Sequence, residues 1–434
     1  MRVLFISGEL ITGDLPYRLS EEGCDVKLFI EHPDQQECQS GFVAKIDDWR
    51  SELDWVGRSG LIVFDDVGYG EIQDKLRRDG FRVFGGSAGG DRLELDREYA
   101  QQVLADLGLE VLPTLRFEHP ADAVRHIRAV APCRWVVKQN DHDSTLCYVG
   151  QFDDGADVAD VLESYQMRGI RDISLQMAAD GIEIGVARYF NGRDWIGPIE
   201  LNIEHKALCD GDIGPKTGEM GTLAWYSDER DQPLFEKVLA PLKPYLIENG
   251  FRGDIDANCI VNGQRVVPLE FTARLGCPIT HIQSALHLTP WREFLGAIAD
   301  GRQIELDYRR GYGIGLTVAV PPFPYQGLAA GHYSAAGSPV RFRKEPTSDE
   351  QRRHYHFESV RREVGADGRH RLQVTNGLGY AAFVTGVGDT VAAAREDVYA
   401  AARNLCIPKA IYRTDIGKKF IETDEQELKS WGWI

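Results

Sequence analysis

No two of the eight cysteines, at positions 24, 38, 133, 147, 209, 259, 277 and 406, form a C-x-x-C pair or a zinc-ligand spacing. Reduced structural thiols are therefore expected. No apolar run reaches the ~18 residues of a membrane span. The opening stretch MRVLFISGEL enters a strand with no basic-then-apolar leader, which predicts a cytoplasmic protein with no membrane partner. No internal repeat or low-complexity segment occurs. Positive charge is scarce: 49 Lys and Arg face 67 Asp and Glu, a net charge of -18 that argues against a nucleic-acid surface. It does not exclude a small anionic ligand, because a pocket can be locally basic in an acidic protein. At 434 residues the chain exceeds one ordinary core, and its length corresponds to about three domains.

The most informative stretch runs from Gly253 to Gln283. Two β-type runs, 255–261 and 265–271, flank the turn signal Asn262-Gly263 and predict a hairpin. Asp256 precedes Gly263 by seven residues and Glu270 follows it by seven, so the fold can bring both carboxylates to the same end of the strands. Thr272 shares the face of Glu270 by strand alternation. Two carboxylates and a hydroxyl followed by Arg274 suit Mg²⁺ holding nucleotide phosphates, with a guanidinium placed for developing negative charge. The alternative reading is a charged hairpin with a solvated edge.

Ahead of this stretch, apolar runs at 2–6, 26–30, 61–64 and 82–84 alternate with helical segments, one of them at 71–79. That pattern predicts a doubly wound parallel sheet. Ligands in such sheets sit at the strands' carboxyl ends, here Ser7-Gly8, Asp65-Asp66 and Gly85-Gly86. Ser7-Gly8-Glu9 reads as an ordinary strand-to-helix turn, since a glutamate stands where a phosphate would approach. Helical spacing covers 91–107 and Gly108 closes it. Pro113 opens a small α+β unit with helices at 121–130 and 158–165 and strands at 134–138, 173–177, 182–189 and 195–201. This unit has the size of a lid. Lys138, at the end of a buried-type strand, can place its ammonium on phosphate oxygens or simply be solvated.

The loop EHKALCDGDIGPKTGEMG, 204–221, is dense in glycine and charge, and glycine permits close backbone approach to a ligand. Its His205 and Lys206 can bind anions. Pro241 and Pro244 interrupt a helical stretch at 234–249. Beyond it come a strand at 313–320, the turn Pro321-Pro322-Phe323-Pro324, strands around Val340, His356, Leu372 and 381–385, and a helix at 391–404.

From about residue 80 to the end, these motifs resemble the phosphoribosylamine-glycine ligases, ATP-grasp enzymes of purine biosynthesis. The resemblance rests on FGGSAGGDRLELDREYA, VVKQ, DGIE, EHKALCDGDIGPKTGEMG, PLEFTARLGCPITHIQ, the stretch from Val374 to Gly377 with GVGDTVAAA after it, and RTDIGKKFI, in that order. It implies a multidomain α/β and α+β architecture. An N-terminal doubly wound domain would span 1–90 and an ATP-grasp domain 91–320, with its lid at about 112–190. A C-terminal α+β domain would span 321–434. It also implies ATP, Mg²⁺ or Mn²⁺, a small carboxylate and a small amine as ligands, and a monomer or homodimer.

By this resemblance Glu270 is a metal ligand, joined by Asp256 and Thr272, and Arg274 stands beside an acyl phosphate with Lys206 and His205 as catalytic partners. Lys138, Arg97, Gln176, Met177, Glu183, Lys216 and Thr217 would contact the nucleotide, while Glu219, Cys277 and Thr280 would face the acid substrate. Asp212, Gly214, Pro215 and Gly218 complete the long loop. ATP would phosphorylate a carboxylate, and an amine would displace phosphate to form an amide.

The departures concern the substrates. SGELITGD replaces the family's glycine-rich N-terminal loop, QNDHDST replaces its phosphate-covering loop, and Gln176-Met177 replaces an acidic hinge pair. Cys277 and Ile279 stand where the family has an aspartate and a glutamate, Thr272 replaces an asparagine, and Asp256 replaces a glycine. The chain reads as a ligase with substrates changed from glycine and phosphoribosylamine. A nucleotide-binding or regulatory module without catalysis, and a genuine phosphoribosylamine-glycine ligase, are the alternatives.

Overall fold

The computed structural model describes residues 1–130, 132–139, 147–227, 229, 231–325, 334–365 and 368–434. The altered phosphate loop at 140–145 lies outside the described residues. The N-terminal alternation folds as expected into five parallel strands in the order Ala44–Lys45, Asp25–Ile30, Arg2–Ser7, Leu61–Phe64, Val83–Phe84. Its inner strands are apolar on both faces because helices cover both. Val3, Phe5, Leu28 and Val63 pack into one cluster, and Leu4, Ile62 and Phe64 into another.

The body of the protein is an eight-stranded antiparallel sheet. Its order is Val266–Thr272, Arg252–Val261, Ile182–Asn191, Trp195–Glu204, Gly221–Ser227, Tyr312–Ala319, Tyr380–Gly388, Tyr355–Phe357. The sheet runs unbroken past residue 320, so the expected boundary there is no break in the hydrogen-bonded structure: Tyr312–Ala319 pairs with Tyr380–Gly388. One face carries Ile182, Ile184, Val186, Leu201, Ile203, Ile255, Ala257 and Cys259 into the largest core cluster. The alternate residues of the same strands point to the opposite face.

A third layer is the small α+β unit expected after Pro113, but without Ile182–Asn191 and Trp195–Glu204, which the sequence reading placed in it and which belong to the main sheet. Thr114–Phe117, Ile173–Met177, Trp135–Gln139 and Tyr148–Val149 form an antiparallel sheet backed by helices Pro120–Ala129 and Ala156–Met167. It has its own core of Val124, Ile127, Val137, Leu162 and Leu175. Among the described residues no helix is long and apolar enough to cross a membrane.

The structure differs from the sequence expectations in three places that bear on the site. The helical stretch at 91–107 is two helices, Ala88–Leu95 and Arg97–Asp106. Asp96 breaks the run, and its carboxylate accepts the Tyr99 amide at 3.1 Å to cap the second helix. The strand expected to end at 201 continues to Glu204. The long loop is partly a hairpin, Ala207–Cys209 with Ile213–Lys216.

That hairpin is clamped from the far end of the chain. Arg413, only 1% exposed, donates through Nε and Nη2 to the two oxygens of Asp415 at 2.8 Å, and through Nη1 to Asp212 at 2.8 Å and the Ala207 carbonyl at 3.0 Å. The Gly211 amide donates to Asp415, and the Thr414 amide to Asp210, both at 2.8 Å. Arg413→Ala is expected to destabilise the fold by at least about 2 kcal/mol, because it leaves carboxylates and a carbonyl without their donor. Chemical denaturation checks this, and an unchanged midpoint would show that the clamp carries no stability.

Candidate active site

The hairpin that dominated the sequence is present as Arg252–Val261 and Val266–Thr272. Its register is not symmetric about the turn. Cys259 pairs with Pro268 but Asn258 pairs with Glu270, so Leu269 is an extra residue in a bulge. Without it Glu270 would oppose Ala257, on the apolar face. With it Glu270 opposes Asn258, Thr272 opposes Asp256, and all four side chains share the polar face.

Trp195–Glu204, separated from Arg252–Val261 by Ile182–Asn191, contributes to the same face. Alternation places Glu200, Asn202 and Glu204 on Trp195–Glu204, and Asp254, Asp256 and Asn258 on Arg252–Val261. The resulting cavity, about 170 Å³, is lined by Lys206, Asp256, Glu270, Thr272, Arg274 and Cys277, with Glu219 and Glu200 also on its wall. Asn202 Nδ2 donates to Asp256 Oδ2 at 2.6 Å, and Asn258 Nδ2 to Glu204 Oε2 at 2.6 Å. Glu200 Oε1, Asn202 Oδ1, Asp254 Oδ1 and Asn258 Oδ1 are buried without a hydrogen-bond partner.

So many buried carboxylates alter one another's titration. Burial, reinforced by Glu204, raises the Asp256 carboxyl well above the usual range. Burial with Asp254 does the same for Glu200, and burial lifts Asp254 itself to about 7. Glu270 goes the other way, down to about 2, chiefly through the charge of Lys206. The Lys206 ammonium sits 2.9 Å from Glu270, 3.0 Å from Glu204 and 3.9 Å from Glu183. Burial works against its charge, but the carboxylates around it raise its pKa well above the ordinary lysine value.

Of the residues expected to contact a nucleotide, Arg97, Lys138 and Glu183 lie near Glu270. Arg97 lies 3.8 Å from its second oxygen. Lys138 donates to Gln176 Oε1 at 2.7 Å, and burial, with Arg97 adding repulsion, lowers it to about 8. Gln176 also donates to the Leu112 carbonyl and Thr114 Oγ1, both at 3.2 Å, so its side chain ties the lid strands together. Met177, next to it, is exposed. Glu183 is raised by burial, opposed by Lys206. Lys216 is exposed on the loop hairpin, and Thr217 Oγ1 donates to the Lys206 carbonyl at 2.8 Å, which fixes the backbone that carries Lys206.

On the acid side Arg274 lines the cavity, anchored by Nε to Glu94 at 3.1 Å. Glu219 accepts the His205 amide at 2.7 Å, and burial, with Glu204, raises it well above the usual range. Gly218 is required beside it, since a Cβ would stand 2.6 Å from Tyr380 Oη.

None of the residues expected to contact a nucleotide lines this cavity, and of those expected to be catalytic or to face an acid, Thr280 and His205 do not join its wall either. Thr280 is fully buried, and its hydroxyl donates to the Gly276 carbonyl at 2.8 Å, one turn back on the entry to helix Ile279–Leu286. The His205 ring is buried with its Nδ1 unpartnered, and burial followed by the charge of Arg413 lowers its pKa. Glu200, Asn202, Glu204, Asp254, Asn258 and Glu94 were not singled out from the sequence. The period-2 pattern of IELNIE and DIDAN carried the signal for five of them, whereas nothing local marks Glu94 as the partner of Arg274.

No established protein-family model matches the chain. It is 26% identical over 358 residues to the phosphoribosylamine-glycine ligase of Mycobacterium leprae, covering 80% of this chain and 79% of that one. In three dimensions it superposes on the phosphoribosylamine-glycine ligase of Thermotoga maritima with a TM-score of 0.68 at 20% identity, covering 96% of this chain and 100% of that chain. The biotin carboxylase of Campylobacter jejuni gives 0.61 at 14% identity, covering 99% and 98%.

Lys206 is the largest influence on Glu270. Lys206→Met is therefore expected to raise the Glu270 pKa by at least about one unit. In the wild type this carboxylate should stay charged until the pH falls to about 2. Carboxyl-carbon NMR titration measures both, and equal values in the two proteins would place the cause elsewhere. In sequence and in fold the chain is similar to the phosphoribosylamine-glycine ligases.

Proposed function

We propose that the chain is an ATP-dependent ligase that joins a small carboxylate to a small amine through an acyl phosphate and releases ADP. The observation that carries this reading is the single cavity in which Asp256, Glu270 and Thr272 meet the cations Lys206 and Arg274, beside Lys138 and Arg97. The donors around it are oxygens, several of them buried without a partner, and such a set suits a hard divalent cation. Asp256, Glu270 and Thr272 would hold Mg²⁺ or Mn²⁺, which when bound would offset charge on the transferring phosphoryl group.

The chain's own residues supply the rest of the mechanism. Lys138, Arg97 and Lys216 present positive charge to nucleotide phosphates, with Gln176, Met177 and Glu183 on the nucleoside side. Lys206 is shared between carboxylates, and competition for Glu270 would release its ammonium toward phosphate oxygens. Arg274, held by Glu94, stands where a carboxylate would be oriented and its acyl phosphate stabilised.

The acid has no counter-charge from Cys277 or Ile279. Glu219 replaces it on the same wall, so we infer an acid whose ammonium, if it has one, pairs with Glu219. An unpaired buried ammonium would cost several kcal/mol, about what one ion pair recovers. The test is ADP release with Mg²⁺, ATP and a panel of amino acids, hydroxy acids, N-acylated amino acids and small amines. Glu219→Gln is expected to raise KM at least about tenfold for amino acids while leaving hydroxy acids nearly unchanged. An equal effect on both classes, or a preference for glycine above every other acid, refutes this account of the pocket.

Glu270→Gln and Asp256→Asn should each cut turnover at least about tenfold with melting temperatures near wild type, since each removes charge from an otherwise intact hairpin. Full activity in both variants would place the metal elsewhere.

A further inference from the structure

Beside the substrate cavity lies a second constellation with different chemistry. Cys277 precedes helix Ile279–Leu286, and His281 sits in its first turn. Glu358 follows the edge strand Tyr355–Phe357, more than seventy residues later in the chain. One ligand atom from each of Cys277, His281 and Glu358 lies within 4.8 Å of the other two. His281 and Glu358 are 1% and 2% exposed, and both His281 Nε2 and Glu358 Oε2 are buried without a hydrogen-bond partner. Leaving two such atoms unsatisfied is costly, about 1–3 kcal/mol each.

An adjacent set is more fully paired. Asp14, His281 and His356 are equally close. There, however, His356 Nδ1 is 3.0 Å from Asp14 Oδ1, His356 Nε2 is 3.1 Å from Thr385 Oγ1, and Asp14 accepts Arg18 Nε at 2.7 Å. Asp14 and His356 are thus paired with each other and with Arg18 and Thr385, so that set leaves only the shared His281 over. The Cys277 set leaves two atoms over, His281 Nε2 and Glu358 Oε2.

We propose that Cys277, His281 and Glu358 form a binding site for a borderline-soft divalent cation of the Zn²⁺ class, separate from the carboxylate site for the nucleotide's metal. Sulfur, imidazole and carboxylate together are a zinc donor set, whereas Mg²⁺ takes oxygen alone. Ligand atoms on a tetrahedral zinc stand about 3.5 Å apart, so contraction of about 1 Å completes the set. Cys277 also lines the substrate cavity, which leaves a fourth position open to water or to an oxygen of a bound acid. Binding displaces the thiol proton, which burial otherwise holds in place, so affinity falls as pH falls.

The site also joins separate parts of the fold. A Cβ at Gly13 would stand 3.1 Å from His281 Cε1 and 3.6 Å from Glu358 Cβ, so the N-terminal loop closes directly over it. A bound cation would tie that loop, the central helix and the far edge of the main sheet together beside Arg274.

The test uses the full chain, stripped with a chelator and titrated with Zn²⁺ alone and with Co²⁺ alone. One Zn²⁺ is expected to bind with a rise in melting temperature, and Co²⁺ to give a thiolate-to-metal charge-transfer band. Cys277→Ser should abolish the band and weaken Zn²⁺ at least about tenfold, as should His281→Ala and Glu358→Gln for affinity. Cys209→Ser, at an exposed cysteine, should change neither. Absence of the thiolate band in the wild type overturns the proposal whether or not any variant folds, and so does undiminished Zn²⁺ affinity in folded Cys277→Ser. None of these readings depends on ATP turnover.

Discussion

The constraint on which the rest depends is the burial of a row of carboxylates on one face of an antiparallel sheet. Glu200, Glu204, Asp254, Asp256 and Glu270 come from three strands within one small cavity. Charges so placed cannot all persist without a cation, and the protein responds in two ways. Burial raises Asp254, Asp256 and Glu200, while Lys206 holds Glu270 charged. The opposite face of the same strands is an apolar core, which gives the acidic row a rigid support.

Around that row the fold is arranged in layers of differing attachment. The long loop that carries Lys206 is bound to the C-terminal segment through Arg413, so residues two hundred positions apart set where the ammonium stands. The lid keeps a hydrophobic cluster of its own. Polar contacts such as Arg265 with Glu110 at 2.7 Å connect its base to the main hairpin. A separate core joined by polar contacts is the arrangement that allows closure over a ligand.

Cys277 shows how one position can change a pocket's chemistry. It stands on the cavity wall with Glu219 of the long loop, and its thiol also lies within a group of buried donors drawn from distant segments. A turn at the entry to a helix thus contributes both to the cavity wall and to that group.

Much of this was legible in the chain. Strand and helix periodicity located the parallel sheet and the hairpin, because each element's pattern is local; strands 61–64 and 173–177 and helix 391–404 fall where the pattern placed them, whereas which sheet 182–189 and 195–201 join was not legible. The resemblance in ordered motifs pointed to Glu270, Arg274, Lys138 and Lys206, which the fold does gather. Only the tertiary structure decided which face Glu270 occupies, since one extra residue at Leu269 turns the strand over and no propensity marks it. Likewise, only packing showed that Thr280 is spent on a backbone carbonyl, that the His205 ring is buried with its Nδ1 unpartnered, and that Glu358 approaches Cys277 and His281. Local pattern determines an element's type and its apolar face, but bulges, ion pairs and clusters arise from chain segments whose proximity no single stretch encodes.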